Sequence, residues 1–128
     1  MKIGIIGQGF VGNAIYQKFK QYFNINTYDL DKSKSNSSEE VTMSQDVVFV
    51  CLPTPMDEVG RCDTSLVEST IKKISLIGKC KTVVIKSTVS PGTSSRLNGI
   101  FNNIDIVFNP EFLTERNAVT DYENQNRI

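Results

Sequence analysis

Five short apolar runs punctuate the chain: KIGII at 2–6, INTYD at 25–29, DVVFVCL at 46–52, TVVIKS at 82–87 and IDIVFN at 104–109. Each is rich in Val, Ile or Phe, and more continuous than alternating. A strand with water on one face alternates apolar and polar residues; a strand covered on both faces need not. Between the runs the apolar spacing is helical. Phe10, Val11, Ala14, Ile15, Lys18 and Phe19 share one face, and Leu66, Val67, Ile71, Ile74 and Ile77 share another. A third, weaker helix is predicted from Gly92 to about Phe101. Strand, helix, strand in repetition means right-handed βαβ units: an α/β fold with a mainly parallel, doubly wound sheet in three layers, αβα, its first strand in the middle.

The segment DKSKSNSSEEVTMSQ at 31–45 is the irregular place. Its serines and charges predict a loop with at most one short helix near Glu39 to Ser44. Its length just meets the crossover minimum of about a dozen residues. Asp63 or Ser65 is placed to cap the Leu66 helix, and Ser65 with Glu68 has capping-box spacing. With 128 residues and no linker or repeat, the chain is expected to be one domain, 1–128.

The composition removes several functions. Lys plus Arg equals Asp plus Glu at 14 each, so the basic excess of a nucleic-acid surface is missing. There is no histidine, which excludes imidazole bases, imidazole metal ligands and His-activated nucleophiles within this chain. Cys51, Cys62 and Cys80 form no CxxC pair, so neither a zinc site nor a disulfide framework is indicated. Reduced thiols in a cytoplasmic protein are the expectation, with Cys51 a buried, inert thiol inside its strand. The N-terminal apolar run is too short and glycine-rich for a signal peptide or a membrane span.

GQGFVG at 7–12 follows the first run and opens the first helical segment, and Asp29 closes the second run about twenty residues on. That is the context a dinucleotide turn requires, and it makes the sheet Rossmann-type. Gly7 permits the tight turn, Gly9 leaves room for a pyrophosphate, and Gly12 lets the helix pack close to the strand. The helix N-terminus offers free N–H groups to phosphates. Asp29 would accept hydrogen bonds from a ribose diol and repel a 2′-phosphate, which favours NAD over NADP; Lys32 and Lys34 lie nearby.

Ligands of doubly wound sheets bind outside the carboxyl ends of the strands. After the third run stand Pro53, Thr54 and Pro55; after the fourth, Ser87, Thr88 and Ser90; after the fifth, Glu111 and Glu115, four apart and on one face if helical. Two acids and several hydroxyls beside a dinucleotide are compatible with a redox site. Helix capping and dipole complementarity explain the same residues about equally well.

GQGFVG, VFVCLPTPMDEVGRCD, KSTVSPGT and FNPEFLTERNAVTDYENQNRI together resemble the UDP-glucose/GDP-mannose dehydrogenase family, specifically its N-terminal NAD-binding domain. The resemblance covers nearly the whole chain, in family order. It implies oxidation of a nucleotide-sugar C6 alcohol to a carboxylate with two NAD⁺. It implies pyrophosphate binding by the glycine turn and the amides of Phe10 and Val11, and adenosine ribose on Asp29 with Lys34 close by. Pro53, Thr54, Ser87, Thr88 and Val89 would line the cofactor. Thr88 would also help hold a water, Glu111 would be the acid/base, and Glu115 would touch the nicotinamide side and substrate. Homodimers are the family's expected state. The 31–45 segment is shorter than usual in the family, which affects adenine-side contacts. The family's catalytic cysteine, lysine, asparagine and aspartate would fall beyond Ile128, in a linking helix and a UDP-sugar domain, so this chain is expected to bind NAD without being catalytically complete. Two other readings compete: the cofactor domain of a 6-phosphogluconate-type β-hydroxyacid dehydrogenase, and a stand-alone nucleotide-sensing module like those of potassium channels. The first does not predict NPEFLTERNA, and the second has no use for Thr88 and Glu111.

Overall fold

The computed structural model describes residues 1–110 and 118–124. Among them five strands form one parallel sheet in the order β2-β1-β3-β4-β5. The strands are β1 (Lys2–Ile6), β2 (Asn24–Tyr28), β3 (Val47–Val50), β4 (Thr82–Ile85) and β5 (Asp105–Phe108). The expected first strand in the middle is thus corrected by one place: β1 is interior, flanked by β2 and β3, and β3 is central. The chain reverses its direction of winding between β1 and β3, and a crevice opens there at the carboxyl ends.

The continuity of the apolar runs has a direct cause. Along β3, Val48 and Val50 enter one core while Val47 and Phe49 enter the other. Along β4, Val83 and Ile85 face the first core and Val84 the second. The first core is completed by Met43 of α2 (Glu39–Met43), by Val67, Ile71 and Ile74 of α3 (Ser65–Ile77), and by Leu97 of α4 (Thr93–Ile100). The second is completed by Ala14 and Ile15 of α1 (Phe10–Phe19) and by Val119 of α5 (Ala118–Asn124). Ile5, Ile15, Val48 and Ile71 are fully buried. Each such side chain contributes about 1.5–3 kcal/mol relative to exposure.

The 31–45 segment holds a 3₁₀ turn at Lys32–Lys34 and then α2. Ser38 caps α2, its hydroxyl accepting from the Val41 amide at 3.2 Å. The helix lies directly on β1, because a Cβ on Gly4 would collide with the backbone carbonyl of Thr42. The capping of α3 differs from expectation. Thr64 occupies the N-cap, Asp63 accepts from the Ser65 amide at 2.9 Å, and the Thr64 hydroxyl donates to Glu68 at 2.6 Å. With Thr64 at the N-cap, Ser65 is the first helical residue and the Ser65–Glu68 spacing is one position out of register for a capping box; Glu68 instead pairs with Arg96 of α4, 2.8 Å away. The Arg96 guanidinium, and then the Thr64 hydroxyl, hold the Glu68 carboxyl below its usual range.

Both edges of the sheet are blunted by an asparagine. On β2 the Thr27 N–H donates to Asn36 Oδ1 at 2.8 Å, and Asn36 Nδ2 donates to the Ile25 carbonyl at 3.0 Å. Ser35 Oγ accepts from the Asp29 N–H at 2.8 Å, extending the seal. On β5 the Asn98 side chain takes both outward groups of Ile106, at 2.7 and 2.9 Å. A side-chain amide offers one donor and one acceptor in a plane, as a neighbouring strand does. Replacing Asn36 with Ala is expected to lower the unfolding free energy by about 1–2 kcal/mol, since two groups of a sheet edge lose their partners. Asn36→Asp, which keeps the acceptor and loses the donor, should fall between Ala and wild type. Urea unfolding of the three proteins measures both.

Candidate functional site

The crevice at the β1/β3 reversal is a cleft of about 770 Å³. That size lies within the range of about 300–1,000 Å³ typical of cofactor sites. The glycine turn forms its floor. Gly7 has φ +95°, a left-handed conformation, and a Cβ there would collide with the Cys51 carbonyl. A Cβ on Gly12 would collide with the Gly7 carbonyl, so α1 packs on the turn only because position 12 has no side chain. Gly9 differs: nothing lies within 4 Å of where its Cβ would be, so its backbone faces open space in the cleft. Gly9 is also the N-cap of α1 and, having no side chain, supplies no cap bond to the first amides of the helix.

Asp29 stands one residue past β2 and also lines the cleft. Its Oδ2 accepts from the Gln8 amide at 2.7 Å and its Oδ1 from the Asp31 amide at 2.8 Å. The carboxylate is therefore fixed to the glycine turn itself. Each oxygen keeps a further lone pair for a ligand hydroxyl.

The structure brings together Gly7, Gly9, Phe10, Val11, Asp29, Pro53, Thr54, Ser87 and Thr88 around this cleft. Gly12 is buried behind it, in the packing role expected of it. Val89 lies in the first core and does not line the cleft. Lys34 lines a neighbouring hollow of about 640 Å³ with Asn13, Tyr16 and Ser33, which meets the cleft at Gly9 and Phe10. Glu111 and Glu115 lie outside the described residues.

Ser87 has a structural task. Its Oγ accepts from the Leu52 amide at 2.9 Å, tying the loop after β3 to the end of β4. The single Cys62 S–H lies within reach of two carbonyls, those of Thr88 at 3.2 Å and Thr54 at 3.5 Å, and is shared between them. Cys62 thus holds together the two loops that carry Thr54 and Thr88. Cys51 was expected buried within its strand; it lies one residue past β3, is half-buried and lines the cleft. Its amide still donates to the Ile6 carbonyl at 2.8 Å, so contact with β1 continues one residue past β3, and its carbonyl is where Gly7 seats the turn. Cys80 is buried, and burial pushes its thiol up to about 11.

Sequence reasoning passed over Leu30, Glu39, Leu66, Thr70, Lys73 and Lys86, all of which line the cleft. Lys86 is 4% exposed and donates to Asn109 Oδ1 at 2.5 Å, linking the ends of β4 and β5. A lysine inside an apolar strand end was the available signal. Among the described residues no group of three or more Cys, Asp or Glu is placed to hold a metal ion, and no helix is long and apolar enough to cross a membrane.

Open backbone at Gly9, uncapped helix amides and a fixed carboxylate fit an extended anionic dinucleotide. The comparisons with known proteins agree. A UDP-glucose 6-dehydrogenase of Streptococcus pneumoniae is 28% identical over 158 aligned positions, covering 100% of this chain and 40% of the relative. That of Campylobacter jejuni is 29% identical, covering 100% of this chain and 41% of the relative. This chain therefore spans less than half the length of these relatives. In fold it matches a UDP-glucose dehydrogenase from Pyrobaculum islandicum with a TM-score of 0.78 at 23% identity, over 94% of this chain and 38% of the other. A ternary complex of GDP-mannose dehydrogenase from Pseudomonas aeruginosa gives 0.76 at 23% identity, over 95% of this chain and 38% of the other. The model of the UDP-glucose/GDP-mannose dehydrogenase family, NAD binding domain, matches residues 27–128, and the chain belongs to that family as its NAD-binding domain.

Proposed function

We propose that this chain is the cofactor half of a cytoplasmic NAD-dependent dehydrogenase that oxidises the C6 alcohol of UDP-glucose or a related nucleotide sugar to the uronate, with two NAD⁺. The observation that carries this reading is the conjunction of the open Gly9 backbone, the uncapped α1 N-terminus and the fixed Asp29 carboxylate in one cleft with Thr54 and Thr88. NAD supplies the hydride acceptor. This chain's own residues bind and orient it: the amides of Phe10 and Val11 hold the pyrophosphate, and Asp29 holds the adenosine ribose. Lys34 approaches from the neighbouring hollow.

Thr88, exposed at the end of β4, helps to hold the reacting water. Glu111 serves as acid and base, with Glu115 on the nicotinamide side. The second oxidation needs a thiolate to attack an aldehyde carbon. The three cysteines described above are a poor match: Cys80 is buried, the Cys62 thiol is turned towards the Thr54 and Thr88 carbonyls, and Cys51 lies against the glycine turn. The thiol and the sugar-nucleotide clamp belong to the further length that the relatives have, as does the homodimer contact. A domain of 1–128 alone therefore binds NAD and does not turn over.

Two measurements test this. NAD⁺ should bind more tightly than NADP⁺ by about 1–3 kcal/mol, because a 2′-phosphate would approach the Asp29 carboxylate in a partly exposed site. Asp29→Asn removes the charge and keeps an oxygen for the Gln8 amide, so it should narrow the gap without unmaking the turn. Equal affinities in the wild-type protein, by calorimetry, would overturn the assignment. Separately, the chain mixed with NAD⁺ and UDP-glucose should give no NADH absorbance. Steady NADH formation that Glu111→Gln abolishes would show that the chain is complete as it stands.

A further inference from the structure

The part of the cleft beyond Asp29 is built by residues that belong to no motif. Leu30 follows Asp29 and is 88% exposed; Leu66, on the first turn of α3, is 44% exposed. Both line the cleft, as do Glu39 at the start of α2 and Lys73 on α3. Glu39 Oε1 and Lys73 Nζ pair at 3.3 Å, joining the two helices. With the pyrophosphate on the glycine turn and the ribose on Asp29, the base is the next group outward, among these four residues.

We propose that the Glu39–Lys73 pair reads the base of the bound dinucleotide and selects adenine over its deaminated counterpart, hypoxanthine. This rests on the dinucleotide reading above. The exposed leucines supply apolar surface for a flat ring, and covering them removes that surface from water. The pair supplies an acceptor and a donor side by side. The outer edge of adenine is complementary: its exocyclic amine donates to the Glu39 carboxylate, and its ring N1 accepts from the Lys73 ammonium. Hypoxanthine reverses both groups. Its carbonyl oxygen meets a carboxylate, and its N1–H meets an ammonium.

The origin of the device is the short crossover. Because Gly4 lets Thr42 rest on β1, α2 is drawn in against the sheet. Its first residue, Glu39, then reaches the cleft. The side chains of Lys73 and Glu39 are 59% and 40% exposed, so the pair is open to a ligand. An ion pair that exposed adds little to folding, and its removal leaves the chain folded.

The test is calorimetric titration of the chain with NAD⁺ and with nicotinamide hypoxanthine dinucleotide. Wild type should prefer NAD⁺ by about tenfold or more, as a mismatched polar edge demands. Glu39→Ala and Lys73→Met should each bring the two ligands to within about threefold of one another, with unchanged circular dichroism. Equal binding of both ligands by wild type overturns the inference and leaves the dinucleotide reading intact. A preference that survives both substitutions overturns it too. Binding of neither dinucleotide by wild type removes the dinucleotide reading and this inference with it.

Discussion

Three backbones meet at the glycine turn, and the rest of the cleft depends on that meeting. Gly12 brings α1 onto the Gly7 carbonyl, and Gly7 brings the turn onto the Cys51 carbonyl at the end of β3. A methyl group at either position would force the elements apart. Because these approaches are backbone to backbone, no rotamer change can relieve them. The Asp29 carboxylate adds the third anchor by accepting from the Gln8 amide. The turn is thereby held from β2 and from β3 at once, and Gly9 is left as the place where the backbone faces open space.

The same economy of space governs the crossover between β2 and β3. A short connection must rise from an edge strand, pass over β1 and descend into β3. It does so with a five-residue helix, α2, seated on the bare backbone of Gly4. What precedes that helix seals the outer edge of β2, through Ser35 and Asn36. An unsealed edge strand presents a row of unpaired groups that recruit other chains. One segment thus closes the sheet and, through Glu39, reaches the cleft.

Much of this was legible in the sequence because the signals were local. Continuous Val and Ile runs report burial on both faces, and the structure feeds alternate residues of β3 and β4 into two different cores. The glycine turn was legible because its three glycines each have a separate steric reason. The remainder depended on contacts distant in sequence. Ser65 and Glu68 have box spacing, but the helix begins one residue earlier, with Thr64 as its N-cap, and Glu68 pairs with Arg96, 28 positions on. Cys51 looks like a strand residue, and its amide still donates to Ile6; only the seating of Gly7 on its carbonyl shows that it borders the turn. Val89 shares the hydroxyl-rich STVS stretch, yet it turns into the first core while Thr88 turns out. Glu39 and Lys73 are 34 residues apart and match no spacing rule, so only the packing of α2 on α3 discloses them.

The two ends of the cleft differ in construction, and the difference bears on how a dinucleotide is held. Towards β4 the walls are cross-tied. Ser87 joins the loop after β3 to β4, Cys62 joins that loop to Thr88, and Lys86 joins β4 to Asn109. The loop from Pro55 to Asp63 is closed on itself by the Met56–Cys62 bridge and by the Asp57 carboxylate, which accepts from the amides of Val59 and Arg61. Towards Leu30 the walls carry the exposed Glu39–Lys73 pair and two exposed leucines. Fixing a reacting group within a fraction of an ångström lowers a barrier, and contacts with remote parts of a ligand supply binding energy that offsets the cost of that fixing. On the orientation proposed above, with the base towards Leu30, the cross-tied walls face the opposite end of the dinucleotide and the adjustable side chains face its base.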